Sequence, residues 1–548
     1  MRMSKWFDFY EKIKDGMKMS KLKSLLEKSE SYARNIICFL MTIIMGFLFI
    51  ESFMHTMELR KSEESFEGIH YHSDNFIVNA ICIFAVLLLL ALLVRYLEKI
   101  PIAIQMGGLA AITITLGVIW VMSSQSVPRE DAMLVTRAAS NAAKNDFSFM
   151  SERYFSNYHY QLGFVFFSEI IMRIFHRGTE NMLYFEIMNV VLLAAAYMGI
   201  ILILRKTFES KRIQTIAVFV LLFCVPPILY SVFTYGVIPG ITFSIYAVLF
   251  EILYFQSEKK TKYIWAIFSV LCIGIAVMIK SNNYIVFAAM AILAVVKLLR
   301  RRKLADLLYI VVAALITVNV NSAVCKMYEA RSDVKLEGAV PMISFAVMGL
   351  NYPNNVVGCT AAGWYNGGYT VGNHEANNFI TEDSAKASME QIKERISYFA
   401  HNYQETNDFF YEKNMSQWNE PTYSCIWLNI AGNRYKDAGK IANYICGDGM
   451  KKAMEYMNIY QMIVFLGAFV GVICCFKKKN ILCCALILIV LGGFLYHMVF
   501  EGKSQYILPY FILLCGFSAV GMDCICNQIT ERMKNRKKRV KRIGTLKG

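Results

Sequence analysis

The chain has 548 residues, 56% of them hydrophobic, and a formal charge of +16 at pH 7. Its apolar runs recur at about the 20 residues that an α-helix needs to cross a bilayer, which excludes a soluble globular domain. The Lys and Arg fall in short clusters between those runs, so the charge reads as membrane sidedness and not as a nucleic-acid surface.

Residues 1–35 form a basic segment with Lys5, Lys12, Lys14, Lys18, Lys21, Lys23 and Lys28. It lacks the short apolar core and cleavage site of a secretory signal and is expected to be an interfacial helix on the cytoplasmic side. Apolar spans follow at 36–54, 76–95, 102–122, 182–204, 213–232, 237–256, 263–279, 283–299, 306–324, 457–476, 481–499 and 505–525, about twelve crossings in an all-α polytopic protein. The clusters Arg205 to Arg212, Lys259 to Lys262, Arg300 to Lys303, Lys477 to Lys479 and Arg532 to Lys547 all belong on the cytoplasmic side, as do both termini.

This sidedness divides the chain into N-terminal membrane helices (36–122), an external loop (123–181), central membrane helices (182–324), a small external domain expected to be of mixed structure (325–456), C-terminal membrane helices (457–526) and a basic tail (527–548). Gln161 to Phe175 is not counted as a span, because that would move the Arg205 cluster outside. Glu169, Arg173 and His176 lie opposite Phe164, Phe167, Ile171 and Phe175, as on a helix along the membrane surface. A second surface helix is expected in the same loop, and another helix at about Ser384 to Tyr403, with Ile392, Ile396 and Phe399 as its stripe. Most of the 15 cysteines lie in apolar runs, where they act as small hydrophobes. Cys325, Cys359, Cys425 and Cys446 fall outside and allow one or two disulfides. There is no zinc-ligand spacing.

Ionisable and polar residues converge on the outer side: Glu130, Asp131, Arg153, Tyr154, Tyr158, His159, Lys280, Asn282, Asn283, Glu501 and Lys503. Lys280 sits in a tight outer turn against the sidedness rule, which makes it a candidate anion site; snorkelling to the headgroups is the plainer alternative. Glu130 and Asp131 follow Pro128 and could equally complement the positive end of a helix. His159 also fits a packed histidine, the tyrosines an aromatic belt, and Trp364 and Tyr365 either a sugar platform or a domain core.

Several of these segments together resemble the polytopic GT-C glycosyltransferases that use polyprenyl-phosphate sugars, the glycosyltransferase family 39-like group of protein mannosyltransferases and aminoarabinose transferases, in a bacterial form. Pro128-Arg129-Glu130-Asp131 resembles the acidic first external loop, and Tyr154 to Gly163 resembles the Tyr-rich stretch opening its second surface helix. Lys280 with its asparagines follows in family order, and Glu501 to Pro509 is similar to the last helix's Arg-Tyr-Leu-Leu-Pro segment, with Gln505 where arginine is common.

The resemblance implies a GT-C fold and transfer of a sugar from a lipid phosphate to a hydroxyl of a glycan, glycolipid or protein, for the cell envelope and at the plasma membrane. It makes Asp131 the base with Glu130 in reserve, places the donor phosphate among Lys280, Arg153, His159, Lys503, Tyr154, Tyr158 and Asn282, and leaves Trp364, Tyr365 and Glu501 to the acceptor or sugar. Some members use a divalent cation, but no ligand cluster here demands a metal. A transporter or flippase of lipid-linked glycans, or a noncatalytic envelope scaffold, would share the polytopic basic character; the transporter would place ionisable groups at mid-membrane depth.

Overall fold

A computed structural model describes residues 19–60, 67–178, 182–353, 361–431 and 438–545. Eleven of its helices are long and apolar enough to cross a membrane: Lys28–Met54, Phe76–Leu97, Ile102–Ser124, Leu183–Phe208, Val237–Gln256, Lys262–Ile279, Ser281–Arg301, Leu304–Ser332, Met450–Cys475, Ile481–Val499 and Ser504–Asn535. The crossing expected at 213–232 is divided. Pro226 and Pro227 remove backbone donors and end helix Lys211–Leu222 ahead of the five-residue helix Pro226–Tyr230. The freed Leu229 carbonyl is taken by Trp120 Nε1 at 2.9 Å and Asn429 Nδ2 at 3.1 Å. The chain then turns through Gly236, whose φ of +76° suits glycine alone, into helix Val237–Gln256.

The basic clusters gather at one end, as the sidedness reading expects. Glu30 is buried there against Lys297 at 2.8 Å and Arg300, and accepts from the Ile481 amide at 2.9 Å. Lys303 pairs with Glu258 at 2.8 Å and Arg212 with Asp523 at 2.8 Å.

At the other end the loop after Ser124 carries two surface helices, Glu130–Ala143 and Leu162–Phe175. The second is oriented differently from the amphipathic expectation. Glu169 is buried and bonded to Tyr328 at 2.6 Å, Arg331 at 3.0 Å and Arg173 at 2.9 Å, while Ile170, Ile174 and Phe175 are exposed. Two guanidinium groups offset the cost of burying the carboxylate, which leaves an apolar face for lipid. At Gly163 this helix lies so close to the Met278 carbonyl that no Cβ fits between them.

An element without a sequence signal is a hairpin directly after the first span. His55–Arg60 pairs antiparallel with Gly68–Ser73. It docks on the external domain through Met57 N to Asn419 O at 3.3 Å and Asn419 Nδ2 to His55 O at 2.8 Å. That domain contains helices Thr381–His401, close to the expected bounds, and Tyr403–Trp418. Cys325 and Cys425 are free thiols, and Cys359 lies outside the described residues, as does most of the expected N-terminal interfacial helix.

The buried Glu30 cluster lies at the end away from the outer loops. Glu30→Ala leaves Lys297 uncompensated, a loss of about 3–5 kcal/mol for a buried pair. The midpoint of unfolding of the purified protein in detergent is expected to fall; an unchanged midpoint would show that the ion pair contributes nothing to stability.

Candidate active site

Three separate stretches meet at the end opposite the basic clusters, the outer end on the sidedness reading: the first turn of helix Glu130–Ala143, the turn between the Lys262–Ile279 and Tyr284–Arg301 helices, and the 500–503 segment before the last helix. Asn283 builds the second of these. Its side-chain amide donates to the carbonyls of Ala276 at 2.8 Å and Lys280 at 3.1 Å, and its oxygen accepts from Ser244 at 3.0 Å. Those bonds satisfy the end of one helix and project Lys280 outward.

Tyr235, carried by the turn that the proline pair creates, joins the parts. Its hydroxyl donates to Asp131 Oδ2 at 3.1 Å, Gln161 Nε2 donates to the same hydroxyl, and Lys280 Nζ stands 4.2 Å from the centre of its ring. Glu501 receives Tyr506 Oη at 3.2 Å, and its charge acts on both Asp131 and Lys280. The segment bearing Glu501 is anchored by Lys413, a fully buried ammonium that donates to the carbonyls of Gly349, Met498 at 3.2 Å and Phe500 at 2.9 Å.

The electrostatics follow from this crowding. Burial raises the Asp131 carboxyl above the usual carboxylate range, opposed by the phenols of Tyr235 and Tyr154 and the charge of Lys280. Burial likewise pushes Glu501 up to about 7, opposed by Lys503, Tyr506 and Lys280. It pushes Lys280 down to about 8, against the charges of Asp131 and Glu501. Glu501 and Lys280 are thus drawn toward neutrality and Asp131 is shifted upward, within one recess whose mouth, at Asp131, is open to solvent.

The other expected residues divide by position. Tyr154 and Tyr158 line the recess with their rings 5.2 Å apart, and the Tyr365 phenol lies beside Tyr158 under the influence of Glu501 and Asp131. Asn282 joins Lys280, Gln505 and Tyr506 at the head of a cleft whose apolar walls are Val237, Ile241 and Pro509. Glu130 points outward, 72% exposed, with Arg129 3.6 Å away. Arg153 is stacked 3.3 Å over the Phe379 ring. His159 backs onto Cys325, with its Nε2 buried and burial lowering its pKa. Lys503 is paired with Glu67 and lies 5.3 Å over Trp364.

Trp364 is corrected as a sugar platform. It is 0% exposed in a cluster with Met57 and Ala361, and its indole donates to Ser416 at 3.1 Å, so no face is left for a ligand. Sequence reading missed Tyr235, Lys413 and Glu67. Tyr235 carries one usable signal, its place in an outer turn two residues before an apolar span; Lys413 and Glu67 look like ordinary surface charges until their partners are known. Among the described residues no three His, Cys, Asp or Glu side chains gather closely enough to hold a metal.

A family described as "Conserved hypothetical integral membrane protein" has a model that matches residues 26–521. No curated protein matches the chain. Two solved structures are similar in part. One is an oligosaccharyltransferase of Archaeoglobus fulgidus in complex with zinc and sulfate, at 14% identity and a TM-score of 0.43, covering 78% of this chain and 50% of that one. The other is the archaeal oligosaccharyltransferase AglB of the same organism in complex with an inhibitory peptide and a dolichol-phosphate, at 12% identity and a TM-score of 0.41, covering 79% and 52%. The chain therefore spans about half the length of these solved proteins.

Lys280 is expected to react with an amine-directed reagent at lower pH than the other outer lysines, with half-maximal labelling near pH 8, read by mass spectrometry. Asp131 raises the lysine pKa, so Asp131→Asn shifts that labelling curve to still lower pH. A curve insensitive to the substitution would show that the two groups are not coupled.

Proposed function

Because the chain belongs to the family of conserved hypothetical integral membrane proteins, whose description specifies no reaction, we propose its activity from the outer recess: a GT-C-type glycosyltransferase that moves a sugar from a polyprenyl-phosphate donor to a hydroxyl acceptor. One observation carries this reading. Asp131 and Lys280, a carboxylate and an ammonium from segments 149 residues apart, are joined through Tyr235 at the end of the apolar helices opposite the basic clusters.

The chemistry uses those groups as follows. Asp131 accepts the proton of the acceptor hydroxyl as its oxygen attacks the anomeric carbon; the bond from that carbon to the donor phosphate breaks, and the polyprenyl phosphate departs as an anion. Lys280 receives the phosphate charge, and Asn282 and Gln505 at the head of the cleft supply hydrogen bonds. A phosphate leaving group needs no acid of its own, so a single base suffices, unlike the paired carboxylates of glycoside hydrolysis. Tyr235 orients the base and covers the lysine. Glu501, held by Lys413 and Tyr506, sets the local charge, and Tyr158 and Tyr365 line the approach. Glu130, Arg153, His159 and Lys503 supply the outer wall. The outer leaflet of a plasma membrane, with the basic clusters cytoplasmic, is the setting that fits this orientation.

Transport is the second reading, and one residue favours it. Glu251 is fully buried inside a span with both carboxylate oxygens unpartnered among the described residues. It lies five residues from the basic end of helix Val237–Gln256, about 7.5 Å along the axis and away from mid-membrane depth, so it supports transport less well than the outer recess supports transfer.

Asp131→Asn is expected to reduce transfer of labelled sugar from polyprenyl-phosphate donors by about 10²–10⁴-fold with membrane insertion unchanged. Near-wild-type turnover would refute the assignment. The pH profile of kcat/KM is expected to rise as Asp131 ionises, above the usual aspartate range, and to fall above about 8 as Lys280 loses its proton. Lys280→Arg removes the alkaline limb. A profile flat between pH 7 and 10 in the wild type would exclude Lys280 as the phosphate's counter-charge.

A further inference from the structure

The outer domain contains a cavity of about 720 Å³ that the transfer chemistry leaves unused. Its size lies within the range of roughly 300–1,000 Å³ typical of ligand pockets. One wall is helix Thr381–His401, which contributes Gln391, Glu394 and Arg395; the opposite wall is a loop that winds into the wide helical turn Gly368–Gly372 and the start of helix Asn373–Ala376, with Asn366, Tyr369 and Asn373.

That loop connects the cavity to the recess. Tyr365, beside Tyr158 and sensing Asp131 and Glu501, immediately precedes the cavity-lining Asn366, and Thr370 of the same loop hydrogen-bonds to Tyr158. The loop is held in place from within. Asn366 Nδ2 donates to Pro353 O at 2.9 Å and its oxygen accepts from Gly368 N at 2.8 Å, while Asn373 Nδ2 donates to Ser384 O and Ser388 Oγ, both at 3.1 Å. Arg395 is also fixed, with Nε donating to Leu350 O at 2.7 Å and its plane 4.3 Å from the Phe399 ring. Gln391 and Glu394 take no protein partner among the described residues and are left for a ligand.

We infer that this cavity is a glycan-binding subsite that presents a neutral oligosaccharide acceptor to the Asp131 recess, an inference that rests on the transferase reading above. A planar amide, a carboxylate and a guanidinium on one helix offer paired donors and acceptors of the kind that vicinal hydroxyls satisfy. Glu394 next to Arg395 cancels the charge that a phosphorylated ligand would require. Among the described residues this domain offers helices and no free strand edge to which a peptide could add as a further strand.

The test measures binding to the full chain in lipid nanodiscs, using fluorescently labelled neutral tetrasaccharides of several hexoses and, in parallel, an uncharged hexapeptide containing Ser and Thr. At least one sugar is expected to bind the wild type and Asp131→Asn equally, and Gln391→Ala and Glu394→Gln are each expected to weaken it by about tenfold, the scale of one lost hydrogen bond. Both positions are on a solvent-facing helix, so unchanged circular dichroism would confirm folding. Absence of sugar binding, binding of the peptide alone, or full affinity in both cavity variants would overturn the inference. Transfer assays on the same samples separate the two claims: sugar binding without transfer from any donor leaves the subsite standing and counts against the transferase, whereas transfer with full affinity in the cavity variants does the reverse.

Discussion

An ammonium held at the end of two apolar helices governs the outer half of this protein. Removing Lys280 from water is costly, and Asp131, Glu501 and the face of Tyr235 offset that cost. Each compensating group comes from a different part of the chain. Tyr235 depends on the break at Pro226 and Pro227, Asp131 on a surface helix, and Glu501 on a segment whose carbonyls are gathered by Lys413. The same burial that makes the lysine costly lowers its pKa and raises those of Asp131 and Glu501, so the cost of burial and the shifted titration of all three groups have one origin.

Much of this was legible in the sequence, because hydrophobic length and basic clusters act through the membrane itself. Apart from the crossing expected at 213–232, which the proline pair divides, the spans, the common end of the basic clusters, the second surface helix and the helix near 381–401 follow from run length and period. Asp131 and Lys280 stood out because a charge at an apolar helix end has few inexpensive explanations. Glu169 shows the limit of period alone. Its spacing gives the correct helix, but its orientation depends on Arg331, 162 residues later.

What was not legible depends on pairing across long separations. Tyr235 looks like one more belt tyrosine until Asp131 and Lys280 lie on either side of it. Trp364 looks like a sugar platform until the hairpin after the first span covers it, and that hairpin occupies a stretch too short and too polar to stand out beside the apolar runs. Lys413 inverts the usual rule for lysine, being a cation used as an internal fastener for carbonyls; only the positions of Gly349, Met498 and Phe500 reveal it.

The contact between Glu67 and Lys503 joins residues 436 positions apart, one made just after the first span and the other just before the last. During synthesis the early hairpin must therefore wait for nearly the whole polypeptide before it meets its partner, and contacts of such separation form late because loop closure precedes any gain from them. The recess is assembled by the final crossing. A ribosome-bound intermediate carries the acid on its surface helix, and later the lysine, without Glu501 or the segment that positions it, so a half-made chain enters the bilayer with its buried lysine still short of one compensating carboxylate.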